Sequence, residues 1–189
     1  WLDIPANIQS SYINEKKLKS YIPKFNTKKT SIIRSINTTI KMIRNSKKPL
    51  ILLGHGVKLS NSQKIYEKII NTFKIPFCLT WNASSIIESN NDFFMGRPGA
   101  FAERGTNFIM QNCDLLLCVG TRLPFMVTGY NSKKFAKNAK IIMVDIDENE
   151  LNKKFLNLNL KIKSDAKEFA EIFFNKLKVT KKINYDDNW

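Results

Sequence analysis

The sequence is poor in the residues that build most catalytic and metal centres. Its 189 residues hold one histidine (His55), three cysteines, five arginines and seven glycines. One histidine and no CxxC pair exclude the common zinc sites, and no metal-binding residue is assigned. Cys78, Cys113 and Cys118 lie within or beside apolar runs. They read as small buried hydrophobes in a reducing compartment, not as a disulfide framework. No GxxxxGK[ST] occurs, which removes the Walker phosphate loop. No serine or cysteine stands in a recognisable activating setting with His55, so no catalytic residue is assigned. Fully apolar stretches reach only about five residues, as from Leu115 to Val119, against the roughly 20 of a membrane helix. No basic segment followed by an apolar one opens the chain. A membrane is therefore not an expected partner, no signal peptide is expected, and the expected location is the cytoplasm.

What the chain has in abundance is positive charge. Thirty-one basic residues against 16 acidic ones leave a net +15, which first suggests nucleic acid or an anionic membrane. The basic residues, however, are 26 lysines and only five arginines, accompanied by 21 asparagines and 23 isoleucines. All three abundant types have A/T-rich codons, so nucleotide composition acting on a solvated surface accounts for the skew. Arginine, the residue suited to bidentate phosphate and base contacts, is scarce. No nucleic-acid partner is expected. At 43% hydrophobic and 25% charged, the rest of the composition is that of a globular protein of about one domain.

The apolar pattern alternates between two periods. Ile32, Ile33, Ile36, Ile40 and Ile43 predict a helix with Thr30 as its cap and Lys47-Lys48-Pro49 as its end. Leu50 to Leu53 is a continuously apolar strand, ended by Gly54-His55-Gly56. A helix near 61–74 follows, with Ile65, Ile69, Ile70 and Phe73 inward. Then come a strand at 76–80, a helix near 101–112, a strand at 114–120 and another at 140–147. A short helical turn at 148–151, a strand at 160–162 and a terminal helix capped by Asp165 complete the series. Trp1 to Pro5 is strand-like as well, and the tail from Lys178 to Trp189 is polar and linker-like. Strands alternating with helices imply βαβ units and a doubly wound, parallel α/β sheet of about six strands in a three-layer αβα arrangement.

Ligands of such sheets bind outside the carboxyl ends of the strands. Gly54-His55-Gly56 sits there as either a phosphate-facing turn or a plain strand-to-helix turn, since the GxGxxG match stops at Leu59. Gly120-Thr121-Arg122 brings an arginine to the rim, for a phosphate or carboxylate or for a structural ion pair. Asp145 and Asp147 alternate along the end of a third strand and are expected on opposite faces. One is a hydrogen-bond acceptor for a ribose and the other a cap for the following helix. The Asp186-Asp187-Asn188 cluster reads as a solvated tail.

In order and spacing these segments resemble the middle domain of thiamine-diphosphate-dependent enzymes, and are similar to acetolactate (acetohydroxyacid) synthases. Trp1-Leu2-Asp3-Ile4-Pro5 with Gln9 is similar to the "V-W-L-D-I-P-x-D-V-Q" that ends the family's first domain. Lys48 to Gly56 is similar to "R-P-V-I-L-A-G-x-G", Ile75-Pro76-Phe77 to "I-P-V", and Met95 to Gly99 to an "x-G-x-x-G" loop. Asp114 to Arg122 with Val127-Thr128-Gly129 tracks "D-L-L-L-x-x-G-x-R…V-T-G", and Ile141 to Asp147 tracks "I-I-H-I-D-I-D".

The resemblance implies a Rossmann-like domain at 29–178. Residues 1–28 would be the end of a preceding domain plus a linker, and 179–189 a linker to a third domain. The opening at Trp1, without a methionine, agrees with a piece of a longer chain. In the family, thiamine diphosphate and Mg2+ are held by the first and third domains, through a catalytic glutamate and a "G-D-G…N" motif. The parent would then be a lyase or transferase that decarboxylates a 2-oxo acid and ligates the product, as a homodimer or homotetramer. Its neighbouring domains would be this domain's partners. In acetolactate synthases the middle domain also binds FAD, and the groove residues carried over are Gly54, Gly56, Thr80, Gly99, Arg122, Asp145 and Asp147. Pro98 stands in place of a histidine, and Pro124-Phe125-Met126 in place of a polar run, and both changes remove polar partners. The alternative reading is a free-standing FAD- or NAD-type nucleotide-binding domain.

Overall fold

Continuous apolar runs become strands because both faces of each run find helices to pack on. The computed structural model describes residues 3–20, 32–179, 183, 185, 186 and 189. The chain runs α1 (Ala6–Gln9), α2 (Ile32–Asn45), β1 (Pro49–Leu53), α3 (Gly56–Leu59), α4 (Gln63–Phe73) and β2 (Phe77–Leu79). It continues through α5 (Arg104–Asn112), β3 (Leu115–Val119), α6 (Phe125–Thr128), β4 (Lys140–Asp145), α7 (Glu148–Leu151), β5 (Leu160–Lys163) and α8 (Ala166–Lys178). Among the described residues five strands form one parallel sheet in the order β2-β1-β3-β4-β5. The expected strand at the start has no counterpart in Asp3–Pro5, which pair with nothing in the sheet. Trp1, Leu2, the Thr30 cap, the link from residue 21 to 28, and Asp187 and Asn188 lie outside the described residues.

Side chains alternate across the sheet and feed two cores. Ile51, Leu53, Leu117, Val119, Ile142 and Val144 face α2, α4 and α8, whereas Leu50, Leu52, Leu116, Cys118, Ile141 and Met143 face α5 and α7. Helices on both faces give the doubly wound αβα layering. Each fully buried Leu, Ile or Phe contributes roughly 1.5–3 kcal/mol. In α2 the stripe is Ile32, Ile36, Ile40 and Ile43, with Thr39 buried among them and its hydroxyl bonded to the Ser35 carbonyl at 2.9 Å. Ile33, expected inward, is 48% exposed, since one residue along from Ile32 the helix has turned about 100° off the stripe. In α4 the fully buried place expected for Ile65 belongs to Tyr66, and Ile65 and Phe73 only flank the core. Asp165 caps α8 as expected, accepting from the Lys167 and Glu168 N–H groups at 2.8 and 3.3 Å.

Two polar links join distant parts of the chain. The Tyr66 hydroxyl donates to the Ala166 carbonyl at 2.8 Å, pinning α4 to the first turn of α8. Burial, and secondarily Asp165, push that phenol well above its ordinary pKa. Asp114, at the amino end of β3, accepts from the Ser46 hydroxyl and from the Lys47 and Lys48 N–H groups, at 2.8 and 3.0 Å for the two amides. It thereby fixes the turn that enters β1. The described tail residues also return to this edge. Ile183 is buried, the Asp186 N–H donates to Lys47 O, and Trp189 Nε1 donates to Pro49 O at 2.9 Å beneath the Lys48 ammonium.

The three thiols are free and buried. Burial is the main cause that pushes the Cys113 thiol up to about 12 and holds Cys78 and Cys118 above their ordinary values. They pack as hydrophobes between the sheet and α5, as the sequence suggests. Among the described residues no helix is long and apolar enough to cross a membrane.

Candidate functional site

Chain order reverses between β1 and β3, which places the topological switch point at their carboxyl ends. All seven groove residues lie along this carboxyl rim, where the loops after β1, β2, β3 and β4 meet. The rim's centre is a contact of backbone on backbone. The Gly54 N–H donates to Val119 O at 2.8 Å, and the Gly56 N–H to Gly120 O at 2.9 Å. A Cβ on Gly54 would sit 2.2 Å from the Gly120 carbonyl oxygen, and one on Gly56 would sit 2.7 Å from the Gly120 Cα. Gly120 itself has φ +58. Of the two readings left open for Gly54-His55-Gly56, the geometry realises the structural turn, because both amides are spent inside the protein.

The other residues follow the same inward habit. Thr80, buried at the end of β2, donates its N–H to Leu53 O at 3.0 Å beside Gly54. Gly99 has φ +136 and is clasped by the Asn107 side-chain amide, which accepts its N–H at 3.0 Å and donates to its carbonyl at 2.9 Å. A Cβ there would meet the Met126 carbonyl at 2.5 Å, so this loop lies against the start of α6. Asn107 carries no periodic or motif signal in the sequence, and only the fold reveals it.

Asp145 and Asp147 were expected on opposite faces of one strand, but β4 ends at Asp145. Residues two apart on a strand share a face; the two separate here because the chain has already left the sheet. Asp147 caps α7, accepting from the Asn149 N–H at 2.9 Å, and its own N–H donates to the Asp145 carboxylate at 2.9 Å. Burial raises the Asp145 pKa above 3.8, opposed by that N–H, raised further by Glu150 and Asp147, and lowered last by Arg122. The folded state therefore favours the protonated form. Its stability contribution is complete below the ordinary value and is lost as pH rises through the folded one. Asp145→Asn, which keeps an oxygen for the Asp147 N–H, is expected to raise the midpoint of thermal unfolding at pH 7. The gain should vanish below about pH 4. Melting curves at both pH values check this, and a lowered midpoint at pH 7 would refute the desolvation argument.

Arg122 is the open charge of the rim. Its side chain is 76% exposed and lies 3.9 Å from Glu150, whose closer partner is Lys153. Exposed aromatic groups also lie on the segments that follow β2 and β3. Trp81 packs on Phe101 with ring centroids 5.5 Å apart, and Phe125 stacks on Tyr130 at 5.4 Å. No apolar period marks these four rings in the sequence, because they sit in turns and short helical segments. His55 directs Nδ1–H at the Asn82 carbonyl, 2.7 Å away, and activates no nucleophile.

The three groove glycines have no free N–H for the diphosphate of a flavin dinucleotide, whereas Arg122 stays open. The amides of Gly54, Gly56 and Gly99 are occupied, Pro98 has none, and Asp145 already accepts from the backbone. Nor, among the described residues, does any group of three or more His, Cys, Asp or Glu stand ready for a metal ion.

The thiamine pyrophosphate enzyme central domain matches residues 36–172, which covers every strand and most of the helical layers. The chain belongs to this family. Among its relatives, a probable acetolactate synthase large subunit of Methanococcus aeolicus is 32% identical over 170 residues, 88% of this chain and 28% of the relative. The acetolactate synthase large subunit of Pyropia yezoensis is 30% identical over 182 residues, 95% of this chain and 30% of the relative. A 3D-(3,5/4)-trihydroxycyclohexane-1,2-dione hydrolase of Geobacillus thermodenitrificans is 33% identical over 116 residues, 61% of this chain and 18% of the relative. The central domain thus spans under a third of the length of these curated relatives.

Proposed function

We propose that this chain is the noncatalytic middle domain of a thiamine-diphosphate-dependent enzyme of the acetolactate synthase type. The parent would decarboxylate a 2-oxo acid and ligate the product, in the cytoplasm, as a homodimer or homotetramer. Residues 29–178 form the domain in this reading, with 1–28 and 179–189 joining it to neighbours that carry thiamine diphosphate and Mg2+. The observation that carries it is the family match across residues 36–172 combined with a carboxyl rim whose glycine N–H groups and aspartates are engaged within the protein. Such a rim suits a scaffold, its carboxylates Asp145 and Asp147 each accepting from a backbone N–H. The exposed aromatic pairs suit contact with the rest of the polypeptide.

The coding sequence on both sides of this segment, and turnover, test the proposal. An upstream glutamate and a downstream G-D-G…N motif are expected. The isolated chain, given thiamine diphosphate, Mg2+ and pyruvate, is expected to release no carbon dioxide, whereas the full-length product does. Flanks without those motifs, or turnover by the isolated chain, would overturn the reading.

A further inference from the structure

The amino edge of the sheet, opposite the rim, carries a cavity of about 490 Å3. Its walls are the segment before β4 (132–139) and the segment before β5 (154–159). Three lysines line it, Lys133, Lys137 and Lys154, together with Asn157 and Asn159, and the lining contains no acidic residue. Among the described residues the ion-paired lysines are Lys153, with Glu150, and Lys163, with Glu148. Among the described residues none of the three cavity lysines is in an ion pair. Asp114, on the adjoining strand end, is committed to Ser46 and two backbone amides.

The walls are held in place before any ligand arrives. The Ser132 hydroxyl donates to the Phe155 carbonyl and ties one wall to the other. Asn159 clips the β5 wall to β4, its Oδ1 accepting from the Ile141 N–H and its own N–H donating to Ile141 O, both at 2.8 Å. Phe135 and Leu156 are buried beneath, and Ala136, 1% exposed, is held at φ +42, a conformation an L residue keeps only where its surroundings enforce it. Ammonium groups lining one fixed concavity without a carboxylate repel one another. A multiply charged anion removes that repulsion, and the volume falls within the range of small-ligand sites.

We infer that this cavity binds a compact small-molecule polyanion through Lys133, Lys137 and Lys154. The site is separate from the carboxyl rim and does not depend on the proposed parent activity. It also gives a part of the +15 a location, while the remaining lysines stay an ordinary solvated surface.

Pyrophosphate titrated into the 189-residue chain at low ionic strength is the test, followed by calorimetry and by amide chemical shifts. Saturable one-to-one binding is expected, with shifts confined to 132–139 and 154–159. The triple variant Lys133→Gln, Lys137→Gln, Lys154→Gln should weaken binding at least about tenfold, whereas Lys41→Gln, Lys64→Gln, Lys167→Gln, equal in charge removed but placed on α2, α4 and α8, should change it less than about twofold. All six side chains are exposed, and circular dichroism confirms that both variants keep the fold. Citrate in parallel assigns the head group: binding of either probe in this manner supports the inference, and their ranking separates phosphoryl from carboxylate. Absence of saturable binding by both probes, equal loss in the two triple variants, or shifts centred on the carboxyl rim would overturn it.

Discussion

Gly54→Ala is expected to destabilise the domain by about 3 kcal/mol, the upper range for overpacking a well-filled site. The added methyl would lie 2.2 Å from Gly120 O and 2.5 Å from the Thr121 Cβ. Neither neighbour can retreat cheaply. Gly120 is itself locked at φ +58, and the β1 and β3 ends are bonded to each other through Gly54 N–H to Val119 O and Gly56 N–H to Gly120 O. The loss should appear as a lower midpoint in urea with little change in slope, since the exposed surface on unfolding is unchanged. A variant as stable as the parent would mean that the glycine is there for a ligand and not for the strand contact. The experiment therefore bears on the site as well as on the fold.

Phe173→Ala should cost about 3–5 kcal/mol, the usual range for emptying an aromatic site in a core. Phe173 is 1% exposed on α8 and lies parallel to Phe169, with ring centroids 5.3 Å apart. It stands in the core that α8 shares with α2 and α4, and Tyr66 pins that helix to α4 at its first turn. Removing the ring leaves a cavity that these tethered helices cannot close, so the cost should fall at the top of the range. Urea unfolding followed by circular dichroism measures it. A loss below about 1.5 kcal/mol would show that α8 slides to refill the space.

Much of this architecture is written in local patterns. Leu50 to Leu53 and Leu115 to Val119 could be recognised as strands because both faces of a parallel strand are buried and the run is unbroken. The helix faces of α2 and α8 show in the spacing of Ile36, Ile40 and Ile43 and of Phe169, Phe173 and Leu177. Errors came where a neighbour in three dimensions, not in sequence, decided. Ile33 and Ile65 are apolar and in phase by eye, yet the sheet meets the helices a fraction of a turn away, at Ile36 and Tyr66.

The carboxyl rim shows the same division. Its residues were legible as a set, since glycines and acids at strand ends stand out. Their hydrogen-bond partners were not: Asn107 on Gly99, Asn82 on His55 and Val119 on Gly54 are reached only through the fold. Polar tail residues likewise concealed Trp189, whose anchor at Pro49 is 140 residues away in sequence.

The sequence by itself determined the α/β class, the strand and helix order and the family, because burial periodicity and motif spacing are properties of short segments. Tertiary structure alone decided which backbone donors at the switch point are spent and which lysines line one cavity without a carboxylate. Both depend on the approach of loops far apart in the chain, and the free energy of a polar group is set by what it meets there.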